Sequence, residues 1–363
     1  MLAVLIEIAV NPQNFQPQDV QQTVSEIGEQ GLLRRVQQFC PAAVVGDDAA
    51  VLTVTPGRSL VVTEDVLVDG VHFSSGFAQP VVTTSAADVG WRAAAANLSD
   101  LAAMGAFPLG ITVGLGLPGA VPVAWVEALY TGMSACLNTF NTPIVGGDIC
   151  RSPILTVAIA AFGEVLPNQA IRRSTAQVGD AILVTGLHGA SRAGLELLLH
   201  PERGEGLRER DRLFFIRAHQ RPNPRLDVVP ILQKVVAASC YNASQERYPI
   251  AGMDSSDGLA DAVLQICRAS GVGARLERHQ LPIPPAFATW LSPQQSVDWV
   301  LYGGEDFELV LCLPLELANQ LAASVPGAAI VGTITADLAV ILGDRTGTVP
   351  DQVLTLEKGF QHF

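Results

Sequence analysis

Acidic residues recur beside glycine or small polar residues at six places along the chain. They are Gly46-Asp47-Asp48, Thr63-Glu64-Asp65, Asp100 within NLSD, Gly146-Gly147-Asp148, DSSDGLAD over 254–261 and GGED over 303–306. Carboxylate oxygens are hard donors suited to Mg²⁺, which takes one or two from a loop and keeps several waters. Several such loops brought together would bind several ions and neutralise a polyphosphate. Glycine beside an acid lets the backbone approach a phosphate and offer it an N–H. Each cluster alone is also ordinary turn or cap chemistry. Gly-Gly-Asp suits a turn, Ser256 with Asp257 can cap the helix that follows, and Asp257 and Asp261 can simply face solvent. The argument rests on six clusters in a chain with only two lysines, Lys234 and Lys358.

That scarcity of lysine excludes much phosphate chemistry. A Walker A loop needs its lysine beside Ser or Thr after a glycine, and neither lysine has that context. The protein-kinase signature set and the G-x-S-x-G elbow are also missing. A nucleotide bound here must therefore have its charge neutralised by metal ions and arginine.

The elements that must position these acids can be read from periodicity. Residues 1–22 read as an extension, whose run NPQNFQPQD is polar, with two prolines, and resembles a linker. A helix is predicted from Thr23 or Ser25, strands over 49–54 and 59–63, and an Ala-rich helix over 86–104 closed by Gly105. A strand over 111–117, a helix over 125–138 and a short strand over 143–145 leading into the Gly-Gly-Asp turn follow, then a strand over 154–164. The pattern pauses near 165–169, giving expected domains of 23–165 and 166–363. In the second, strands are predicted over 180–185, 274–276, 307–313 and 329–333. Helices are predicted over 191–199, 226–238, 259–269 and 315–323. A solvated, charged helix over 203–217 is broken by RPNPR. Strands and helices alternate without a regular βαβ rhythm, so the fold class is mixed α/β (α+β), in two domains.

Composition agrees. The 363 residues suit two domains, and 49% hydrophobic residues supply two cores. A net charge of −13 opposes nucleic-acid binding. Six cysteines without a C-x-x-C pair read as free thiols in a reducing compartment. The apolar start MLAVLIEIAV is too short to span a bilayer, so a cytoplasmic protein without a membrane partner is expected.

The motifs GDDAAVL, TEDVLVDGVHF, NLSDLAAMGAFP, VGGDICR, SRAGLELLL, HQRPNPRL, MDSSDGLADA and YGGEDFEL, with the closing KGFQHF, occur in this order. In that order they resemble the thiamine-monophosphate kinases, within the aminoimidazole ribonucleotide synthetase-like superfamily. The resemblance runs from about Ile27 to Phe363. It implies a two-domain fold whose N-terminal α/β domain pairs across a homodimer into a β-barrel, with a C-terminal α/β domain. It also implies Mg²⁺-dependent transfer of the ATP γ-phosphoryl group to thiamine monophosphate. By this resemblance Asp48, Thr63, Glu64, Asp65 and Asp100 form the main metal cluster, and Asp148, Asp254 and Asp257 hold further ions. Asp65, Asp148 and Asp257 are the expected catalytic acids. Tyr130, Gly147, Asp148, Arg173 and Ser256 contact ATP. His72, Glu305 and Phe360 contact the acceptor, Phe360 by stacking. The family pattern has a small hydroxyl residue at position 64, which leaves open whether Glu64 serves through its side chain or its backbone. Asp69 reads as a turn residue. A sister ATP-dependent enzyme and a non-catalytic nucleotide or cation sensor are the rival readings.

Overall fold

The computed structural model describes residues 22–41, 44, 49–239 and 248–359. Asp48, Phe360 and nearly all of the 1–22 extension lie outside the described residues. Helix α1 (Val24–Val36) starts at Thr23, whose backbone N–H donates to Glu26 Oε2 at 2.6 Å, as in a capping box. Next come β1 (Ser59–Val68), α2 (Ala86–Ala103), β2 (Phe107–Leu117), α3 (Val123–Thr139), β3 (Ile144–Arg151) and β4 (Thr156–Val165).

These four strands form one sheet in the order β1-β4-β2-β3, antiparallel except for the β2–β3 pair. Helices α2 and α3 cover one face. The alanines of α2 let it run almost wholly buried. It crosses α3 so closely that a Cβ on Gly90 would lie 1.9 Å from the Leu129 carbonyl oxygen, and one on Gly132 1.8 Å from that of Ala87. Only glycine fits at such a crossing. The other face of the sheet is open, with Leu60, Val62 and Val66 about half exposed. Among the described residues no barrel is closed.

The second half contains β5 (Ala181–Val184), α4 (Ala190–Leu199), α5 (Glu209–Gln220), α6 (Val228–Ala238), β6 (Ala251–Asp254), α7 (Leu259–Ser270) and β7 (Gly273–Glu277). It continues through α8 (Phe287–Trp290), α9 (Pro293–Tyr302), β8 (Leu309–Leu313), α10 (Leu315–Ser324), β9 (Ala329–Thr335), β10 (Val340–Gly343) and β11 (Gln352–Val353). Its seven-stranded sheet runs β11-β10-β7-β9-β5-β8-β6. Here β5, β6 and β8 are buried along their whole length. Leu183, Leu309 and Leu311 pack towards α6 and α10. Ile182, Val310 and Cys312 face α4, α7 and α9 on the other side. Continuous apolar strands such as LVLCL are what a sheet covered on both faces demands.

The two halves are joined where α2 meets the chain leaving α5. The Trp91 indole donates to the Pro222 carbonyl at 2.8 Å, Arg221 reaches Asp88 at 2.6 Å, and Gln220 donates to the Thr83 carbonyl at 2.9 Å. The HQRPNPRL motif is thus a docking segment as well as a helix breaker.

Several elements differ from the sequence reading. Residues 49–54 form no strand, and among the described residues β1 pairs with β4 alone. Gly146–Asp148 lies inside β3 and is not a turn. A Cβ on Gly147 would stand 2.1 Å from the Val113 carbonyl oxygen, so close strand packing is what requires glycine there. The charged helix spans Glu209–Gln220 and is only partly solvated, since Phe215 and His219 are buried. Helix α9 was not anticipated, although Ser292 caps it and Pro293 takes its first position. No helix among the described residues is long and apolar enough to cross a membrane.

Candidate active site

An acidic cluster forms where the covered face of the first sheet meets the second half. Alternation along β1 turns Thr63 and Asp65 towards α2, where the Thr63 hydroxyl donates to Asp100. From the second half, Asp254 at the end of β6 accepts from the Ser99 hydroxyl of α2 at 2.7 Å and from the Ser256 hydroxyl at 3.0 Å. Asp257 follows, exposed, just ahead of α7. Arg173 lies in a short turn whose carbonyl accepts from the Ser270 hydroxyl at 2.8 Å, and it is solvent-exposed.

The electrostatics show how tightly these acids are gathered. Burial pushes the Asp65 carboxyl up to about 6, helped by the charges of Asp254 and Asp257. Asp100 is also pushed up to about 6 by burial, with Asp65 adding to the rise and the Thr63 hydrogen bond and Arg173 opposing it. Asp254 reaches about 6 by burial and by Asp100, against its two serine hydrogen bonds. Asp261 is raised by burial and by Asp257. Negative charge therefore outweighs positive charge at this point. Oxygen donors in such excess suit hard divalent cations. Among the described residues, no three His, Cys, Asp or Glu side chains are placed to hold one ion between them.

Glu64 does not join this cluster through its side chain. It is exposed on the open face of the sheet, opposite Thr63 and Asp65. Asp148 is on that open face too, since it aligns through Gly114 and Ala158 with Val66. It stands on the far edge strand, three strand spacings or roughly 14 Å across the sheet from β1.

Asp148, Gly147 and Tyr130 instead line a separate cavity of about 580 Å³ around the β3 edge, walled by Val36, Leu52 and Phe162. Tyr130 is buried there, its ring 5.5 Å from that of Phe39. The cavity is large enough for a nucleoside and is mostly apolar.

A third group lies beside the acids. The GGED loop packs on the DSSD loop, where the Glu305 N–H donates to the Ser256 carbonyl at 2.7 Å. Glu305 (φ 67°) and Phe307 (φ 53°) both adopt the left-handed backbone region. Asp306, beside them, accepts from the N–H groups of Gly189 and Ser191 at the start of α4, and burial pushes its carboxyl up to about 7. The Glu305 carboxylate is bound by Arg92 of α2 and lies 3.6 Å from His219. His72 Nδ1 accepts from the Val68 N–H at 3.1 Å, so the neutral ring carries its proton on Nε2. Asp69 is a turn organiser, accepting from Ser75 N–H, Ser75 Oγ and Ala78 N–H to shape the loop beyond His72.

Sequence reasoning did not single out Arg92, His219 or Ser99. The signal for Arg92 was present: one cation inside the run WRAAAANL must find a partner when the helix is buried.

Residues 46–165 match the family described as AIR synthase related protein, N-terminal domain, and residues 177–343 match its C-terminal domain. The thiamine-monophosphate kinase of Synechococcus elongatus is 51% identical over 345 residues, 94% of this chain and 98% of that protein. The crystal structure of the Stenotrophomonas maltophilia thiamine-monophosphate kinase superposes with a TM-score of 0.71 at 32% identity, over 86% of this chain and 94% of the other. A structure described as AaThiL complexed with AMPPCP and TMP superposes with a TM-score of 0.69 at 28% identity, over 95% of this chain and all of the other. Likeness of this degree over almost the full length of both partners makes this chain a member of the thiamine-monophosphate kinase family.

Proposed function

We propose that this chain transfers the γ-phosphoryl group of ATP to thiamine monophosphate, giving thiamine diphosphate and ADP. The observation that carries the reading is the meeting of Asp65, Asp100 and Asp254, drawn from both halves of the chain, beside Asp257 and the exposed Arg173. Such an arrangement answers the main obstacle of the reaction, the mutual repulsion of two phosphate groups. Bound Mg²⁺ would supply charge neutralisation at the phosphate oxygens. Asp65, Asp100, Asp254 and Asp257 would share the holding of several such ions, with Asp48 added by family resemblance and Thr63 holding Asp100 in place.

The chain's own residues do the rest. Arg173 reaches the phosphates from its exposed turn, and Ser256 lies against Asp254 at the nucleotide side. Tyr130 and Gly147 line the cavity taken by the nucleoside. His72 and Glu305 serve the acceptor, a role that family resemblance also gives to Phe360. The acceptor phosphate is ionised near neutral pH and needs no strong base. Transfer is direct and in line, with no phosphorylated enzyme, so positioning supplies most of the rate. Label from [γ-³²P]ATP should remain off the protein.

The working unit is a homodimer. Support comes from the open sheet face with Leu60, Val62 and Val66, and from the separation of Asp148 from Asp65 within one chain. Joining two open sheets edge to edge would bring the β3 edge of one chain beside the β1 edge of the other. Asp148 would then stand next to the partner's β1 on the open face, beside Glu64, so that the cavity it lines would adjoin the partner's acidic cluster. Domains divide near residue 166. The absence of a membrane-length helix among the described residues, together with free Cys40, Cys136, Cys150, Cys267 and Cys312, supports a place in the cytoplasm.

The test is thiamine diphosphate formation by the purified chain with ATP, Mg²⁺ and thiamine monophosphate. Product from the monophosphate, none from free thiamine, and collapse in Asp65→Asn is the expected result. ATP binding without product would instead favour a nucleotide sensor.

A further inference from the structure

Arg92 makes contacts that its place on a buried alanine helix does not require. It is 2% exposed. Its Nη1 donates to the His219 carbonyl oxygen at the end of α5. Its Nη2 donates to the His72 carbonyl oxygen at 3.1 Å and to Glu305 Oε1. One guanidinium thus ties the His72 loop, the GGED loop and the docking segment to α2. Glu305 is the residue whose backbone most needs such a tie, because a non-glycine residue at φ 67° is held there only by its surroundings. The carboxylate is bound through Oε1, while the side chain keeps a third of its surface exposed. His219 completes the frame, its Nδ1 lying 3.1 Å from the Ser191 hydroxyl.

We propose that Arg92 is a positioning residue for the acceptor site: it fixes the Glu305 carboxylate and the His72 loop in the relative placement that receives the acceptor. This rests on the reading of His72 and Glu305 as acceptor-side residues. A planar fork presents donors from two separate nitrogens and so spans acceptors on both sides, whereas the three donors of an ammonium group radiate from a single nitrogen. Loss of the fork should therefore weaken use of the acceptor and leave use of ATP intact, since the nucleoside cavity at β3 shares none of these groups.

Steady-state kinetics with thiamine monophosphate and ATP varied separately test this in the full-length protein. The set is Glu305→Gln, Arg92→Ala, Arg92→Lys, the double variant Arg92→Ala/Glu305→Gln, and Arg221→Ala. The last removes a neighbouring ion pair of the same junction, Arg221–Asp88, without touching Glu305. Expected are acceptor KM values raised about tenfold or more in Glu305→Gln and Arg92→Ala, with KM for ATP within about twofold. The double variant should add no more than about threefold to either single one, because the two residues act as a unit. Arg92→Lys should still raise the acceptor KM about fivefold. Arg221→Ala should lower thermal stability with the acceptor KM unchanged. If Arg92→Ala proves too unstable to purify, Arg92→Lys decides on the same readout. An Arg92→Lys or Arg92→Ala enzyme with normal acceptor KM, beside a defective Glu305→Gln, would overturn the proposal alone. A Glu305→Gln enzyme with normal acceptor KM would overturn the acceptor reading and the proposal together.

Discussion

The two sheets of this molecule are built from similarly apolar strands but are finished differently. The seven-stranded sheet has helices on both faces, and β5 and β8 are buried from end to end. The four-stranded sheet has helices on one face only, and its β1 leaves Leu60, Val62 and Val66 about half exposed on the other. Burying one such side chain contributes roughly 1 kcal/mol for the half still exposed, so an open row of them is a surface that favours a partner. The first sheet also carries acids on both faces, Asp65 on the covered one and Asp148 on the open one. The second sheet delivers Asp254 from a strand end. One sheet is covered on both faces, and the other keeps one face open among the described residues.

Asp65→Asn and Asp148→Asn should each lower kcat by about a thousandfold or more, since each removes a carboxylate proposed to hold the cations that neutralise the phosphates. Mixing the two inactive proteins after reversible dissociation should restore about a quarter of wild-type activity, if half the dimers pair opposite variants and each of those has one intact site. A mixture as inactive as its parents would place both acids in one protomer's site and break the comparison. Leu311→Arg puts a charge between two covered faces and should cost more than about 4 kcal/mol, read as loss of folded protein. Val62→Arg on the open face should leave monomer stability within about 1 kcal/mol and shift sedimentation from dimer to monomer. If Val62→Arg sediments like the wild type, the open face is not the interface.

The smallest effect concerns the covered sheet alone. His188 is fully buried, with Nδ1 3.1 Å from the Gly186 carbonyl oxygen, and burial lowers its pKa from 6.5 to about 4. Between those values the unfolded chain binds a proton that the folded chain refuses. The contribution is therefore fully present above pH 6.5 and is lost as pH falls towards 4, by about 3 kcal/mol in all. Urea midpoints of wild type and His188→Asn across that range measure it. The wild-type curve should fall more steeply, and parallel curves would refute the assignment.

The covered elements were the legible ones. The Ala-rich run of α2 and the continuous apolar strand β8 carry their burial in their composition, and the acids at 65, 100, 254 and 257, which the structure gathers, stood out by type and by the small or hydroxyl residues near them. Asp148 misled, because Gly-Gly-Asp is equally at home in a turn. Here the glycine serves close packing of β3 on β2, where a Cβ at Gly147 would stand 2.1 Å from the Val113 carbonyl oxygen, a contact formed between distant segments. The expected strand over 49–54 failed for a related reason. Its residues have the right propensity, but β1 pairs with β4 alone and leaves that segment unpaired. Arg92 was hidden because its partners, at 72, 219 and 305, are far away in sequence.

By itself the sequence determined which chemistry was possible. Carboxylates without a phosphate-binding lysine leave metal-assisted handling of phosphate, and helix and strand periods follow from local sterics and the apolar pattern. The tertiary structure decided which acids share a field, which face each occupies, and which cation clamps Glu305. Those depend on long-range packing, where strand alternation sends neighbours such as Glu64 and Asp65 to opposite sides. A buried charge is tolerated only where a distant segment supplies its partner.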